Sequence, residues 1–150
     1  MKRIGIISDT HGLLRPEVTE YLQDCDMIVH AGDVGSVEII EQLQNIAPLV
    51  VVRGNVDNGL NKLSLYEMFE FFGKTLYVYH GHKELDIDPA AAGVDVIISG
   101  HSHVPLITYK KSILYINPGS AGPKRFSLAV SIASLVISDS GMDATIRFLA

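Results

Sequence analysis

At 150 residues, 47% hydrophobic and 19% charged, the chain is long and apolar enough to bury a core as one domain, and its composition excludes a disordered polymer. Its formal net charge of −5 argues against coating a phosphate backbone, so no stable nucleic-acid complex is expected; a local cationic centre could still hold a small phosphate ester. The single cysteine, Cys25, has no intramolecular partner and reads as a small buried hydrophobe.

The first apolar run, IGIIS at 4–8, meets Asp9 too soon for a signal-peptide core. No stretch approaches the ~20 apolar residues of a membrane helix, so a soluble cytoplasmic protein is expected. IGIIS reads as a buried strand, as do MIVHA at 27–31, LVVVR at 49–53, TLYVYH at 75–80 and VDVIIS at 94–99. Helical patterns fall between the first three. PEVTEYLQ at 16–23 begins on proline and groups Val18, Tyr21 and Leu22. SVEIIEQLQN at 36–45 opens on Ser36 as N-cap and groups Val37, Ile40, Leu43 and Gln44. Strand–helix alternation predicts parallel neighbours in an α/β sheet.

The last third changes character. Residues 106–116 turn around Lys110, Lys111 and Ser112, and 128–137 and 144–149 flank a turn at Asp139-Ser140-Gly141. Antiparallel hairpins are expected here, supplying most of a second sheet outside which helices pack. EMFEFFG, with Phe69, Phe71 and Phe72 and with Tyr66 just before it, reads as a strand entering the core rather than a base-stacking platform; an exposed patch for a homo-oligomer is the other option.

The polar residues stand where these strands stop. IGIISD ends at Asp9, MIVHAGD at Asp33, LVVVRGN at Asn55, TLYVYH at His80 and VDVIISGH at His101. Ligands of α/β sheets bind beyond the carboxyl ends of strands, so these positions can meet on one rim. Asp9–His11 and His101–His103 repeat a two-residue spacing that puts both side chains on one side of an extended segment, about 6–7 Å apart. Carboxylate with imidazole and no thiolate suits manganese, iron, zinc or nickel better than calcium. Seven ligands exceed one tetrahedral ion and suit two ions sharing a carboxylate.

Asp9-Thr10-His11, Gly32-Asp33, Gly54-Asn55, His80 and Gly100-His101-Ser102-His103, in this order over nearly the whole chain, resemble the calcineurin-like metallophosphoesterase superfamily. SDTHG at the start, HGH at 80–82 and NPGS at 117–120 resemble its small YfcE-like phosphodiesterase branch. The resemblance implies a four-layer αββα sandwich of two mixed β-sheets, one domain over residues 1–150. It implies Asp9, His11 and His103 on a first divalent ion, Asn55, His80 and His101 on a second, and Asp33 between them. Mn2+ is the expected metal, with Ni2+, Fe2+, Zn2+ or Mg2+ as substitutes. The expected reaction is attack of a metal-bridging hydroxide on a small phosphodiester. One departure concerns the acid: many relatives carry histidine after Gly-Asn, whereas Val56 follows Asn55 here and donates no proton. Leaving groups that need little protonation, or a proton from water or His82, would accommodate that loss.

Other residues have blander readings. His30, inside a strand, reads as a core histidine. His82 is placed beside the phosphate or behind a ligand. Asp57 either orients a ligand or caps the segment after it. Thr10 and Ser102 are local hydrogen-bonders, NPGS at 117–120 is a tight turn that could sit beside the site, and Arg53 and Arg125 are solvated more often than phosphate-bound. The expected catalytic group is Asp33, Asn55, His82 and Asp57. Two other functions compete with the diesterase. One is phosphomonoester hydrolysis. The other is a non-catalytic scaffold resembling the retromer subunit of the same fold, which should have lost ligands where this chain keeps all seven. A nuclease is disfavoured by the acidic charge and the lack of a basic groove.

Overall fold

The computed structural model describes residues 1–149 apart from 58, 61, 125 and 126. β1 (Lys2–Ile7) pairs in parallel with β2 (Met27–His30), and β2 pairs in parallel with β3 (Leu49–Val51). Parallel neighbours need a crossover. These are α1 (Pro16–Leu22), begun by proline in its first turn, and α2 (Val37–Gln44). Both lie on the same outer face, where Val18, Leu22, Ile39 and Leu43 pack with Ile7 and Ile28. The expected face of α2 is corrected: Ile39 and Leu43 are buried, while Val37 is 49% exposed. Ser36 is the N-cap residue, but its side chain makes no cap bond.

The second sheet runs β4 (Tyr66–Phe71), β5 (Lys74–Tyr79), β6 (Val96–Ile98), β8 (Ile113–Asn117) and β7 (Leu106–Lys110) in space. Its edges are antiparallel hairpins and its centre is parallel. Lys111 and Ser112, both at positive φ, turn β7 into β8 where the sequence indicates. The last hairpin, β9 (Val130–Ser138) and β10 (Gly141–Leu149), departs from expectation. It joins the first sheet, with β9 antiparallel to β1, rather than extending the second. Nearly every residue of β9 is buried, and such a strand needs a partner on each side.

Ile4, Ile6 and Val29 of the first sheet meet Leu76, Val78, Ile98 and Ile116 of the second in the inter-sheet core. The sandwich of two mixed sheets is therefore as expected. Outside the second sheet, Leu85, Ile87 and Val94 from the turn-rich segment 81–95 cover Tyr77, Ile97 and Ile113 in place of a helix. β4 alternates as an edge strand does. Phe69 and Phe71 face the core as expected, whereas Tyr66 and Met68 face outward and Phe72 follows in the turn, all about half exposed, so the core reading is corrected for Tyr66 and Phe72. Among the described residues, no helix is long and apolar enough to cross a membrane.

Candidate metal centre

Six side chains from loops beyond β1, β2, β5 and β6 form two facing clusters: Asp9, His11 and His103, and Asp33, His80 and His101. Asp9 Oδ1 lies 3.4 Å from His103 Nε2, 3.7 Å from His11 Nε2 and 3.8 Å from His80 Nε2. Asp33 Oδ2 lies 3.1 Å from His80 Nε2 and 3.7 Å from His11 Nε2, so it reaches a histidine of each cluster. Asn55 joins the second cluster, its Oδ1 3.2 Å from His101 Nδ1.

The backbone that delivers these groups is strained. Among the described residues, eight that are not glycine have positive φ, and five of them are Asp9, His11, Asp33, His101 and His103. Each such conformation costs on the order of 1–3 kcal/mol and persists only where its surroundings enforce it. Enforcement comes from amide bonds between neighbouring loops: Asp9 to Gly32, His11 to Asp33, Gly12 to Val34 and Gly100 to His80, all 2.9–3.0 Å. Close approach also requires glycine at 54, where a Cβ would collide with the Asp33 carboxylate and amide, and at 100, where it would strike Ser8 and Asp9.

Hydrogen bonds aim the side chains. Ser8 Oγ donates to Asp9 Oδ2 at 2.6 Å and the His101 amide does so at 3.0 Å, leaving Oδ1 turned toward the histidines. The Val56 amide donates to Asp33 Oδ1 at 3.0 Å, leaving Oδ2 directed inward. His80 Nδ1 is 2.8 Å from the Ala31 carbonyl, which only accepts, so Nδ1 carries the proton and Nε2 presents a lone pair. Asp9 Oδ1, His11 Nε2 and His80 Nε2 are buried without a hydrogen-bond partner. An unsatisfied buried polar atom costs about 1–3 kcal/mol, and three such atoms spread over the two clusters fit bound cations as their missing partners. Carboxylate oxygen with imidazole nitrogen is also the donor set that borderline divalent ions take.

The electrostatics follow from the same contacts. Burial pushes the Asp33 carboxyl up, but the close contact with His80, the Val56 amide and the charges of His80 and His11 prevail and hold it at about 2. Burial works against a charged His80, yet Asp33 and Asp9 raise its pKa above the ordinary value. His82, its ring 5.4 Å from that of His80, is lowered by burial and by the charges of His80, Lys83 and His101.

Residues around the centre hold it in place. His30 Nδ1 accepts from the Gly32 amide at 3.1 Å, so Nε2 carries the proton toward Thr10 Oγ1 at 2.9 Å, and Thr10 donates onward to the Val34 carbonyl at 2.8 Å. Burial lowers the His30 pKa to about 4, and both its nitrogens are occupied. The Asp57 carboxylate accepts the amides of Val34, Gly35 and Gly54 at 2.9–3.1 Å, tying the β2 loop to the β3 loop. Asn117 and Ser120 of the NPGS turn sit beside the site, and Ser8 is a residue that the sequence reading missed. Asn117 Nδ2 donates to the Gly100 carbonyl and Ser102 Oγ, bracing the GHSH loop, and Ser120 Oγ donates to the Asp9 carbonyl. Arg53 lines a polar cleft with Asn55, Asp57 and His82, and Arg125 lies outside the described residues.

Known proteins resemble this chain in sequence and in fold. The family described as calcineurin-like phosphoesterase superfamily domain matches residues 1–140. A probable metallophosphoesterase of Methanocaldococcus jannaschii is 38% identical over 149 residues, covering 91% of this chain and 76% of the relative. The phosphodiesterase YfcE of Escherichia coli is 27% identical, covering 80% of this chain and 79% of its own. Among solved structures, a novel archaeal phosphodiesterase superposes with TM-score 0.85 at 24% identity, covering 98% of this chain and 99% of the other. Vps29 of Chaetomium thermophilum superposes with TM-score 0.80 at 16% identity over 99% of this chain and 95% of its own. At these identities the two structures speak for the fold.

Proposed function

Because the chain belongs to the calcineurin-like phosphoesterase superfamily, and so to hydrolases of phosphate esters, we propose that it cleaves phosphodiesters of small substrates at a dinuclear centre. One domain spanning residues 1–150 is part of this reading. In it, Asp9, His11 and His103 hold one divalent ion, Asn55, His80 and His101 hold the other, and Asp33 serves both. The observation that carries it is the pair of facing clusters, with Asp33 Oδ2 3.1 Å from His80 and 3.7 Å from His11 and three buried donor atoms otherwise unmatched. Manganese suits the mixed oxygen and nitrogen donors. When bound, two such ions acidify water and polarise the phosphoryl oxygens.

The chain's own groups do the rest. Asn55 is a neutral donor and leaves the centre more positive than a third carboxylate would. That local charge admits a phosphate ester despite the net charge of −5. Asp57 acts on the reaction through the loops it ties. His82 stands beside the centre as a group that can contact the ester, but burial and cationic neighbours disfavour its protonated form. With Val56 unable to donate, leaving groups that depart with little protonation are the expected substrates. The presence of all seven donor residues, five of them on strained backbone, supports the enzyme reading over the scaffold.

The test is hydrolysis of a bis-aryl phosphate and of an aryl monophosphate by chelator-stripped protein, before and after adding manganese, nickel, zinc or magnesium. The stripped protein should be inactive, manganese should restore activity, and the diester should be preferred. Metal-independent turnover would refute the dinuclear mechanism, and a preference for the monoester would reassign the substrate.

A further inference from the structure

Beside the metal centre, where His80 and Gly81 leave β5, a cleft runs outward between Leu65, Tyr66 and Tyr79 on one side and the segment from His82 to Asp86 on the other. Its inner end is made by His80 of the second cluster, and its outer wall is apolar. Leu65 is 41% exposed and Tyr66 is 54% exposed. Tyr66 is not loose. Its ring stacks on Tyr77 at 5.5 Å and 15°, and Tyr77, only 3% exposed, packs in turn beside Tyr79 at 5.9 Å. Asp86 stands on the opposite lip beside Tyr77. The cleft therefore presents a preorganised flat aromatic wall within one side chain of the proposed metal ligands.

Charge limits what fits there. Glu84 and Asp86 line the cleft, so a second phosphate is disfavoured in it. Lys83 lies between this cleft and the polar one that shares Leu65 and His82 with it, and the second cation, Arg53, lines only the polar cleft, beside Asn55. A ligand with its phosphate on the metal centre would thus extend a neutral ring along the tyrosines.

We infer that the Leu65–Tyr66–Tyr79 cleft is a specificity pocket for the aromatic part of the substrate, making an aryl or nucleoside phosphoester the preferred class. The inference rests on the phosphoesterase reading and adds Tyr66 to it as the residue that selects the organic group. Stacking on a fixed aromatic wall strengthens binding by about tenfold or more.

Two non-hydrolysable anions of the same charge separate the cleft from the metal centre: phenylphosphonate and methylphosphonate, titrated into manganese-loaded protein by calorimetry. The chain has six tyrosines and no tryptophan, so tyrosine fluorescence provides a second readout of ring binding. Phenylphosphonate should bind at least about tenfold tighter. Tyr66→Ala should abolish that preference while leaving methylphosphonate affinity unchanged, and Tyr66→Phe should retain it. Equal affinities in the wild type, or a preference that survives Tyr66→Ala, would overturn the inference and leave the phosphoesterase reading intact. If neither anion bound, the phosphoesterase reading would fail and this inference with it. A wild type that sediments as a dimer and becomes monomeric on Tyr66→Ala would make Leu65, Tyr66 and Met68 a contact between copies, again overturning the pocket.

Discussion

The inter-sheet core and the loops beyond the strand ends sit within a few residues of each other and follow opposite rules. In the core, Ile6, Val29, Leu76 and Val78 are fully buried and apolar. In the loops, Asp9, Asp33 and His80 are nearly as buried, yet the carboxylates sit on left-handed backbone, and Asp9 Oδ1 and His80 Nε2 lack hydrogen-bond partners. The first region supplies the free energy that keeps the second in conformations it would not adopt alone. Two histidines make the contrast local. His30 and His80 are both buried, but His30 has both nitrogens occupied and a lowered pKa, whereas His80 has one nitrogen engaged and a raised pKa.

The contrast can be broken at its functional end by Asp33→Asn. Losing the carboxylate that faces both clusters should lower kcat/KM by about 10³-fold or more, since charge stabilisation at such a centre contributes several kcal/mol. Thermal melting without metal should hold steady or rise, because the unsatisfied cluster loses a buried charge. A fall in both together would mean that the loops are structural. At the other end, Ile6→Ala should destabilise by about 2–5 kcal/mol in denaturant unfolding. Turnover per folded molecule should be unchanged, and a parallel loss of turnover would show that the core tunes the site directly.

His30 sharpens the comparison through pH. Its folded pKa of about 4 lies below the model-peptide value of 6.5. Above pH 6.5 both states are neutral there and no stability is lost. As pH falls from 6.5 toward 4 the unfolded chain takes up the proton first, so stability declines by as much as about 3 kcal/mol from this group. Metal-free protein should show that decline in urea unfolding, and His30→Gln should flatten it. The smallest expected effect is at Val56, which is 49% exposed and can be replaced without disturbing packing. Val56→His should speed hydrolysis of an alkyl ester by about tenfold and leave an activated aryl ester unchanged. No gain on the alkyl ester would show that the missing proton donor is not what limits this enzyme.

Much of the architecture was legible because its signals are local. Buried β-branched runs mark the strands, Pro16 marks the start of α1, and the Lys111-Ser112 turn marks its hairpin. The candidate site was legible for a similar reason: a polar residue ending an apolar strand interrupts the hydrophobic pattern, and five such interruptions fall at one end of the two sheets. The face of α2 was not, because Ile39 and Val37 are equally apolar and only the position of Leu43 against Ile7 and Ile28 selects between them. Nor was the exposure of Tyr66, since an edge strand and an interior one can share the pattern of EMFEF.

By itself, then, the amino-acid order determined the strands, the α/β class and the set of polar residues that could meet, since each depends on residue type and spacing along the chain. Tertiary structure alone decided that β9 closes against β1, that Asp57 accepts amides of the β2 and β3 loops, and that Asn117 braces the GHSH loop. It also decided that Asp9, Asp33 and His101 take left-handed backbone. These features depend on contacts between segments dozens of residues apart, and no local pattern encodes which segment will arrive.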